Sequence, residues 1–454
     1  MSKRLAQLLL PGLLSASVAC SPSDAPSIAG GGAGNPGSAG GPNAGASSFG
    51  GAPGSSGAST SGGSASAGTP ASGGATPLGG APSVAGSAGQ SLGGTPSGGA
   101  EAGGVAGTLG GSGGVGTAGT GGGNGTLPPF ILGADVTITM EDEYWDANYT
   151  DNGTLKPLEQ ILKDHGFNFI RIDTFVNPGA PGGFAADMEQ PFRDLEHTIT
   201  LAKRVKAIGM GFLLDLHYSD TWTNPGAQKP PAAWAGLSVS QLETKIYDYT
   251  KDAMTKLKAA SATPDIVQVG NEITAGMLWE TGRATGSDFA NFATLLKAGI
   301  KAVREVNPAT QVMLHIEKCH NLETSKWWLD GVLGAQVKFD ILGQSCYASA
   351  PNGVAGYQGT PADWKTTFEA LAAAYPDLKF IIAEYSAQQR AANDTMFNLP
   401  NKRGLGTFNW DPTRSYETHP NDPLFTTNGA WNRFVTIPSM MALYDKMAKD
   451  YGLK

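Results

Sequence analysis

The chain has 454 residues, a formal net charge of −8 and 15% charged residues. That length exceeds one ordinary domain, but a barrel-sized core of about 250 residues or more fits inside it as a single unit. No basic block stands out, so the electrostatic footprint of a nucleic-acid-binding protein is missing, whereas an acidic surface leaves a neutral polysaccharide substrate open.

At the N-terminus, Lys3 and Arg4 precede a short apolar run over 5–14, and Ser17-Val18-Ala19 forms a small-residue cleavage site. This predicts a signal peptide over 1–19 of the lipoprotein type, with Cys20 lipid-modified, although Ser17 stands where such signals usually carry Leu. Ordinary secretion with an incidental Cys20 is the alternative. The expected location is the exterior, as an outer-surface lipoprotein or a secreted protein, with membrane contact only through that lipid. Residues 20–127 carry most of the chain's 64 glycines among Ser, Ala, Thr and Pro. Such a tract buries too little apolar surface to offset the entropy of ordering, so a disordered tether is predicted. The folded catalytic domain is predicted over 128–454.

From Pro128 onward, short apolar runs bounded by polar, Gly or Pro residues predict strands at 131–138, 167–175, 210–218, 266–272, 311–317, 339–347, 379–385 and 405–410. Helical spacing of apolar residues predicts helices at 155–165, 238–257, 287–306, 325–333, 360–375 and 437–451. Another runs through Leu201 to Ile208, with Asp194 placed to cap its start and Gly209 to end it. The stretch 386–401 reads as irregular. Eight strands alternating with helices predict an α/β fold, the (β/α)8 TIM barrel. A doubly wound open sheet is the alternative, but no Gly-rich nucleotide turn follows the first strand.

Barrels of this kind do their chemistry at the C-terminal ends of the strands. The fourth predicted strand ends Val269-Gly270-Asn271-Glu272, and the seventh ends Ile382-Ala383-Glu384-Tyr385. Each places a carboxylate directly after a buried apolar run. Taken singly, either glutamate reads as a structural ion-pair member. Taken together, across one barrel mouth, they match the two carboxyl groups, roughly 5–5.5 Å apart, that retaining glycoside hydrolysis requires.

The segment Leu216-His217-Tyr218-Ser219-Asp220-Thr221-Trp222, followed by Asn224-Pro225-Gly226 and Lys229-Pro230-Pro231-Ala232-Ala233-Trp234, resembles the third-strand signature of glycoside hydrolase family 53, the arabinogalactan endo-β-1,4-galactanases. Gly133-Ala134-Asp135-Val136, Arg171, Asn177-Pro178, Val269-Gly270-Asn271-Glu272-Ile273, Val312-Met313-Leu314-His315 and Gly404-Leu405-Gly406 with Trp410 and Pro412 extend the resemblance over essentially the whole folded part. It implies Glu272 as acid/base and Glu384 as nucleophile. Asn271 would hydrogen-bond the sugar 2-hydroxyl, Arg171 would lie beside Glu384 and keep it ionised, and Tyr347 would orient Glu384. Trp410 would form the floor under the sugar, while Asp135, His217, Asp220 and Trp222 would line the cleft. The chain departs from the family pattern at Asp173-Thr174-Phe175, at Cys346 and at Asp411.

With Cys20 assigned to a lipid, Cys319 and Cys346 remain, as a disulfide or as two buried thiols. Because they fall near the ends of adjacent strands, a disulfide across the rim is the expectation. Trp222, Trp234 and Trp279 read equally as sugar-stacking aromatics and as packing under the loops, and Trp327-Trp328 as packing. His217, His315 and His320 show no close metal-ligand spacing. No metal site and no required cofactor are expected, and a structural calcium, known in some relatives, has no assignable ligands. The expected partner is β-1,4-galactan, met by a monomer. A related barrel hydrolase on another β-linked glycan and a catalytically weak surface glycan-binding protein are the competing readings.

Overall fold

A computed structural model describes residues 127–348, 359–415 and 422–454. The chain runs β1 (Ile131–Asp135), α1 (Thr139–Tyr144), β2 (Asn148–Asp151), β3 (Thr154–Lys156), α2 (Leu158–Asp164), β4 (Phe169–Thr174), α3 (Leu195–Ala207) and β5 (Gly211–Leu216). It continues with α4 (Val239–Ala259), β6 (Ile266–Val269), α5 (Ala290–Val306), β7 (Gln311–Ile316), α6 (Leu322–Gly334), β8 (Ile341–Ser345) and α7 (Pro361–Ala374). It closes with β9 (Lys379–Tyr385), α8 (Gln389–Phe397), β10 (Gly404–Trp410), β11 (Phe425–Thr427), β12 (Arg433–Thr436) and α9 (Pro438–Asp450). Strands β1, β4, β5, β6, β7, β8, β9 and β10 form a closed, all-parallel barrel in which β1 pairs with both β4 and β10. This is the (β/α)8 barrel expected from the alternation, and each predicted strand coincides with one barrel strand. Most predictions overshoot at the C-terminal end, because the polar residues there leave the ladder to build the mouth.

Local signals place the helices. Asp194 accepts from His197 N at 2.9 Å to start α3, and Gly209, at φ 76°, ends it. Ser238 with Gln241 and Thr360 with Asp363 form capping boxes for α4 and α7. These satisfy backbone donors that the helix itself leaves open.

The expectation of irregular structure over 386–401 is corrected, since α8 occupies its centre. The buried face of α8 is Gln389, Ala392, Asn393, Thr395 and Met396, so it carries little apolar periodicity. It is held instead by polar bonds, Asn393 donating to Tyr385 Oη (3.1 Å) and accepting from Thr407 Oγ1 (2.8 Å). A second, four-stranded sheet, β11-β12-β2-β3, was not expected. Its β2–β3 hairpin turns at Asn152-Gly153, both at positive φ (48° and 79°), the backbone that a two-residue turn demands. The predicted helix at 155–165 consequently starts three residues late, because Leu155 belongs to β3.

The barrel interior changes character along its axis. Inward positions near the N-terminal ends of the strands are apolar: Ile131, Phe169, Leu213, Ile266, Met313, Ile341, Ile381 and Phe408 pack as one cluster. Side chains alternate with period two along a strand, so the next inward positions lie two residues on. On four strands these are Arg171, Asp215, Gln268 and His315, all buried. A disulfide joins Cys319, just beyond β7, to Cys346, just beyond β8. Among the described residues no helix is long and apolar enough to cross a membrane. The expectations for 1–19, Cys20 and, but for Leu127, the 20–127 tether lie outside the described residues.

Candidate active site

Arg171 organises the mouth. Its Nη1 donates to Asp135 Oδ2 (2.7 Å), and its Nη2 meets Asp215 Oδ2 (2.7 Å), Glu384 Oε1 (2.9 Å) and Asn271 Oδ1 (2.9 Å). Its Nε donates to Gln268 Oε1 at 3.1 Å. One buried guanidinium thus orients groups from β1, β5 and β9 and from the residues after β6. The planar fork of Arg suits this role, and a lysine would offer no equivalent geometry.

Glu384 reaches the mouth by a register shift. Gln344 pairs with Ile382, but Ser345 pairs with Glu384, so β9 carries one extra residue there. Such a bulge re-aims side chains. Ile381 points inward and so does Glu384, while Tyr385 points out to bond Tyr444 Oη on α9 at 2.8 Å. Tyr347 Oη donates to Glu384 Oε2 at 2.9 Å.

Glu272 enters from the opposite side on a sharp turn after β6. Gly270 sits at φ 86°, where an added Cβ would lie 2.8 Å from Ile273 Cγ2, and Glu272 itself adopts φ 49°. A non-glycine residue in the left-handed region is strained, and such strain is concentrated at functional sites. Ser345 Oγ donates to Glu272 Oε1 at 2.8 Å. Asn271, next to it, donates from Nδ2 to Thr223 O (2.9 Å) and accepts on Oδ1 from Arg171.

The two glutamates differ electrostatically. Burial pushes the Glu272 carboxyl well above the usual carboxylate range, and the adjacent charges of Glu384 and Glu317 push the same way. Burial also raises Glu384 above its ordinary value, but Arg171 and the Tyr347 hydroxyl pull it back. The resemblance implied that Arg171 keeps Glu384 ionised. Arg171 acts in that direction, yet burial outweighs it. Asp135 is pushed up to about 7 by burial against the pull of Arg171. Asp215 goes the other way, since Arg171 and His217 overcome its burial and hold it below the usual range.

The remaining expected residues divide. His217 lies in the mouth, its Nε2 3.1 Å from Asp215 Oδ2 and its Nδ1 accepting from Thr223 N at 3.1 Å. Trp410, half-buried, closes β10 in register with Asp135. Asp220 is placed as a brace, because its two oxygens accept from Asn177 N (3.0 Å) and Ala232 N (2.8 Å) and tie two loops together. Trp222 is wedged under the Arg193 guanidinium (4.2 Å to the ring centroid) and against Phe175 (5.5 Å), a packing arrangement. Trp234 and Trp328 are buried in the outer core, while Trp279 is half-buried beneath Arg283 at 3.9 Å.

Gln268, Asp215, Glu317 and Ser345 belong to the site and were not singled out as functional. The available signal was one polar residue at an inward position of an otherwise apolar strand, as in Gly211–Leu216 and Ile266–Val269. Among the described residues no group of three or more His, Cys, Asp or Glu is arranged to hold a metal ion.

Residues 131–402 match the model of glycosyl hydrolase family 53. An arabinogalactan endo-beta-1,4-galactanase of Thermothelomyces thermophilus is 37% identical over 222 residues, 47% of this chain and 63% of the relative, so the chain spans less than two thirds of that protein. One from Humicola insolens is 32% identical over 306 residues, covering 62% of this chain and 88% of the relative. The solved Ignisphaera aggregans GH53 catalytic domain superposes with a TM-score of 0.60 at 27% identity, covering 71% of this chain and 97% of that domain.

Proposed function

Because this chain belongs to glycosyl hydrolase family 53, we propose that it hydrolyses β-1,4-galactosidic bonds within galactan or arabinogalactan, with net retention, using Glu272 as acid/base and Glu384 as nucleophile. The observation that carries this reading is the shared mouth. Ser345, registered against Glu384, bonds Glu272, and the Glu384 charge acts on Glu272. The substrate class follows the names of the curated relatives.

In the first step Glu384 attacks the anomeric carbon as an anion while Glu272 gives its proton to the leaving glycosidic oxygen. The carbon–oxygen bond to the leaving chain breaks as the bond to Glu384 forms. Both carboxyls are raised by burial, but Glu272 further, so between the two values Glu384 is the ionised one. Glu272 is held protonated by burial and by its carboxylate neighbours, and Glu384 has a cation and a phenol on its two oxygens. Once Glu384 carries the sugar its charge is gone, which removes one cause of the raised Glu272 value. Glu272 then takes a proton from water, whose oxygen displaces Glu384 from the anomeric carbon. Asn271 is bonded to Thr223 and Arg171 and, on this reading, would meet the sugar 2-hydroxyl.

The test is unbranched β-1,4-galactan, with NMR following the anomer first released. Release of the β-anomer supports retention. An α-anomer, or release from mannan or cellulose but not galactan, rejects the mechanism or the substrate respectively. Export and lipid attachment at Cys20 form a separate proposal, tested by metabolic labelling with a fatty acid in the intact chain and in Cys20→Ala.

A further inference from the structure

We propose that Ser345, backed by His315 and Gln268, is a positioning residue that stabilises the ionised, base form of Glu272 and so serves the second half of the reaction. The inference rests on the reading of Glu272 as the acid/base. It concerns a chain of hydrogen bonds lying behind that residue, away from the open mouth.

The geometry is a single line. Ser345 Oγ is 2.8 Å from Glu272 Oε1 and 3.0 Å from His315 Nε2. His315 Nδ1 is 3.1 Å from Gln268 Nε2 and 2.8 Å from Asn271 Oδ1. Ser345, His315 and Gln268 are all buried, at 3%, 0% and 0% exposure.

Counting protons fixes the direction of each bond when Glu272 is ionised. A carboxylate only accepts, so the one Ser345 proton goes to Oε1. Ser345 Oγ then accepts from His315, which must carry its proton on Nε2. The His315 ring is neutral, because burial and the nearby Arg171 charge keep it well below its usual range. Its Nδ1 is therefore bare and accepts from Gln268 Nε2. With Glu272 ionised, the order Gln268 to His315 to Ser345 to Glu272 leaves no donor facing a donor, at the cost of one acceptor–acceptor contact between the bare His315 Nδ1 and Asn271 Oδ1 at 2.8 Å. Occupying Oε1 in this way leaves Oε2 as the oxygen that takes the proton from water.

Other groups act on the same atoms. Glu384 on β9, Glu317 beyond β7 and Arg171 on β4 face Glu272, while Arg171, Asp215 and His217 on and beyond β5 face His315. Removing the Ser345 hydroxyl leaves all of them in place, so its effect is separable.

Ser345→Ala tests the proposal, with Ser345→Thr as the variant that keeps a hydroxyl. A hydrogen bond to a charged group is strong enough that its loss should move the alkaline limb of kcat/KM on galactan upward by about one pH unit. On an aryl galactobioside with a dinitrophenol leaving group, where the first step needs no acid, kcat in Ser345→Ala should fall about tenfold, and Ser345→Thr should restore both values. An alkaline limb that stays put in a folded Ser345→Ala, shown by an unchanged near-ultraviolet circular dichroism spectrum, overturns the proposal. Glu272→Gln is measured alongside. If it keeps full turnover, the reading of Glu272 fails instead, and the two failures are told apart.

Discussion

The lower and upper halves of the barrel interior are built on the same strands and yet are opposites. Phe169, Leu213, Ile266 and Met313 fill the floor with close-packed apolar side chains. Two residues further along the same strands, Arg171, Asp215, Gln268 and His315 form a buried polar network. The floor gains stability by removing apolar surface from water. The mouth gains nothing comparable, because buried ions recover their desolvation cost only when every partner is present. The difference teaches that one half stabilises the fold and the other uses some of that stability to hold charges in a chosen geometry.

The comparison can be broken most sharply at Glu384. Glu384→Gln should lower kcat by about 10⁴-fold or more while the protein stays folded, as measured by galactan reducing-end release beside thermal melting. Next comes the floor. Phe408→Ala should cost about 3–5 kcal/mol in denaturant unfolding. Because Phe408 packs among apolar side chains, it should leave both pH limbs of activity in place. A floor mutation that moved a limb would show that the two halves are not separable.

The pH profile itself is the third test. On the proposed roles, activity requires Glu384 ionised and Glu272 protonated, so the acid limb would report Glu384 and the alkaline limb Glu272. Both carboxyls are raised, Glu272 further, so both limbs of kcat/KM should lie above the ordinary glutamate value. The smallest effect is on stability. A carboxyl whose folded value is raised is favoured while protonated, and that advantage is lost as pH rises through the folded value. Glu272→Gln should therefore melt about 2–4 °C higher than the wild type at pH 8, with the difference vanishing near pH 4. An equal gain at both pH values would point to packing as its source.

Much of this was legible in the residues. The eight strands follow from short apolar runs, and the glutamates stand out because a charge directly after such a run has little structural reason to be there. The hydrogen-bonded network behind them was harder to read. Gln268 and Asp215 sit inside apolar runs, where a lone polar residue looks like noise until the register shows that it shares a layer with Arg171. Glu384 points inward only because of the bulge that pairs Ser345 with it, and periodicity does not encode a bulge. Helix α8 was missed because Asn393 and Gln389 replace the aliphatic face the pattern looks for. The Asn152-Gly153 turn is a readable hairpin signal, but its flanking strands are short and carry one large apolar residue each, Tyr149 and Leu155, too few to mark a strand by pattern. Asp220 ties two loops together, and Trp222 packs between Arg193 and His217.

The disulfide has a consequence for when the enzyme becomes competent. Residues 345 and 347 each bond one glutamate, while Cys346 between them is bonded to Cys319. A single covalent tie therefore backs the contacts to both proposed catalytic glutamates. A nascent chain still in a reducing environment would hold both glutamates but lack this fastening, so its maturation would be completed by an oxidant.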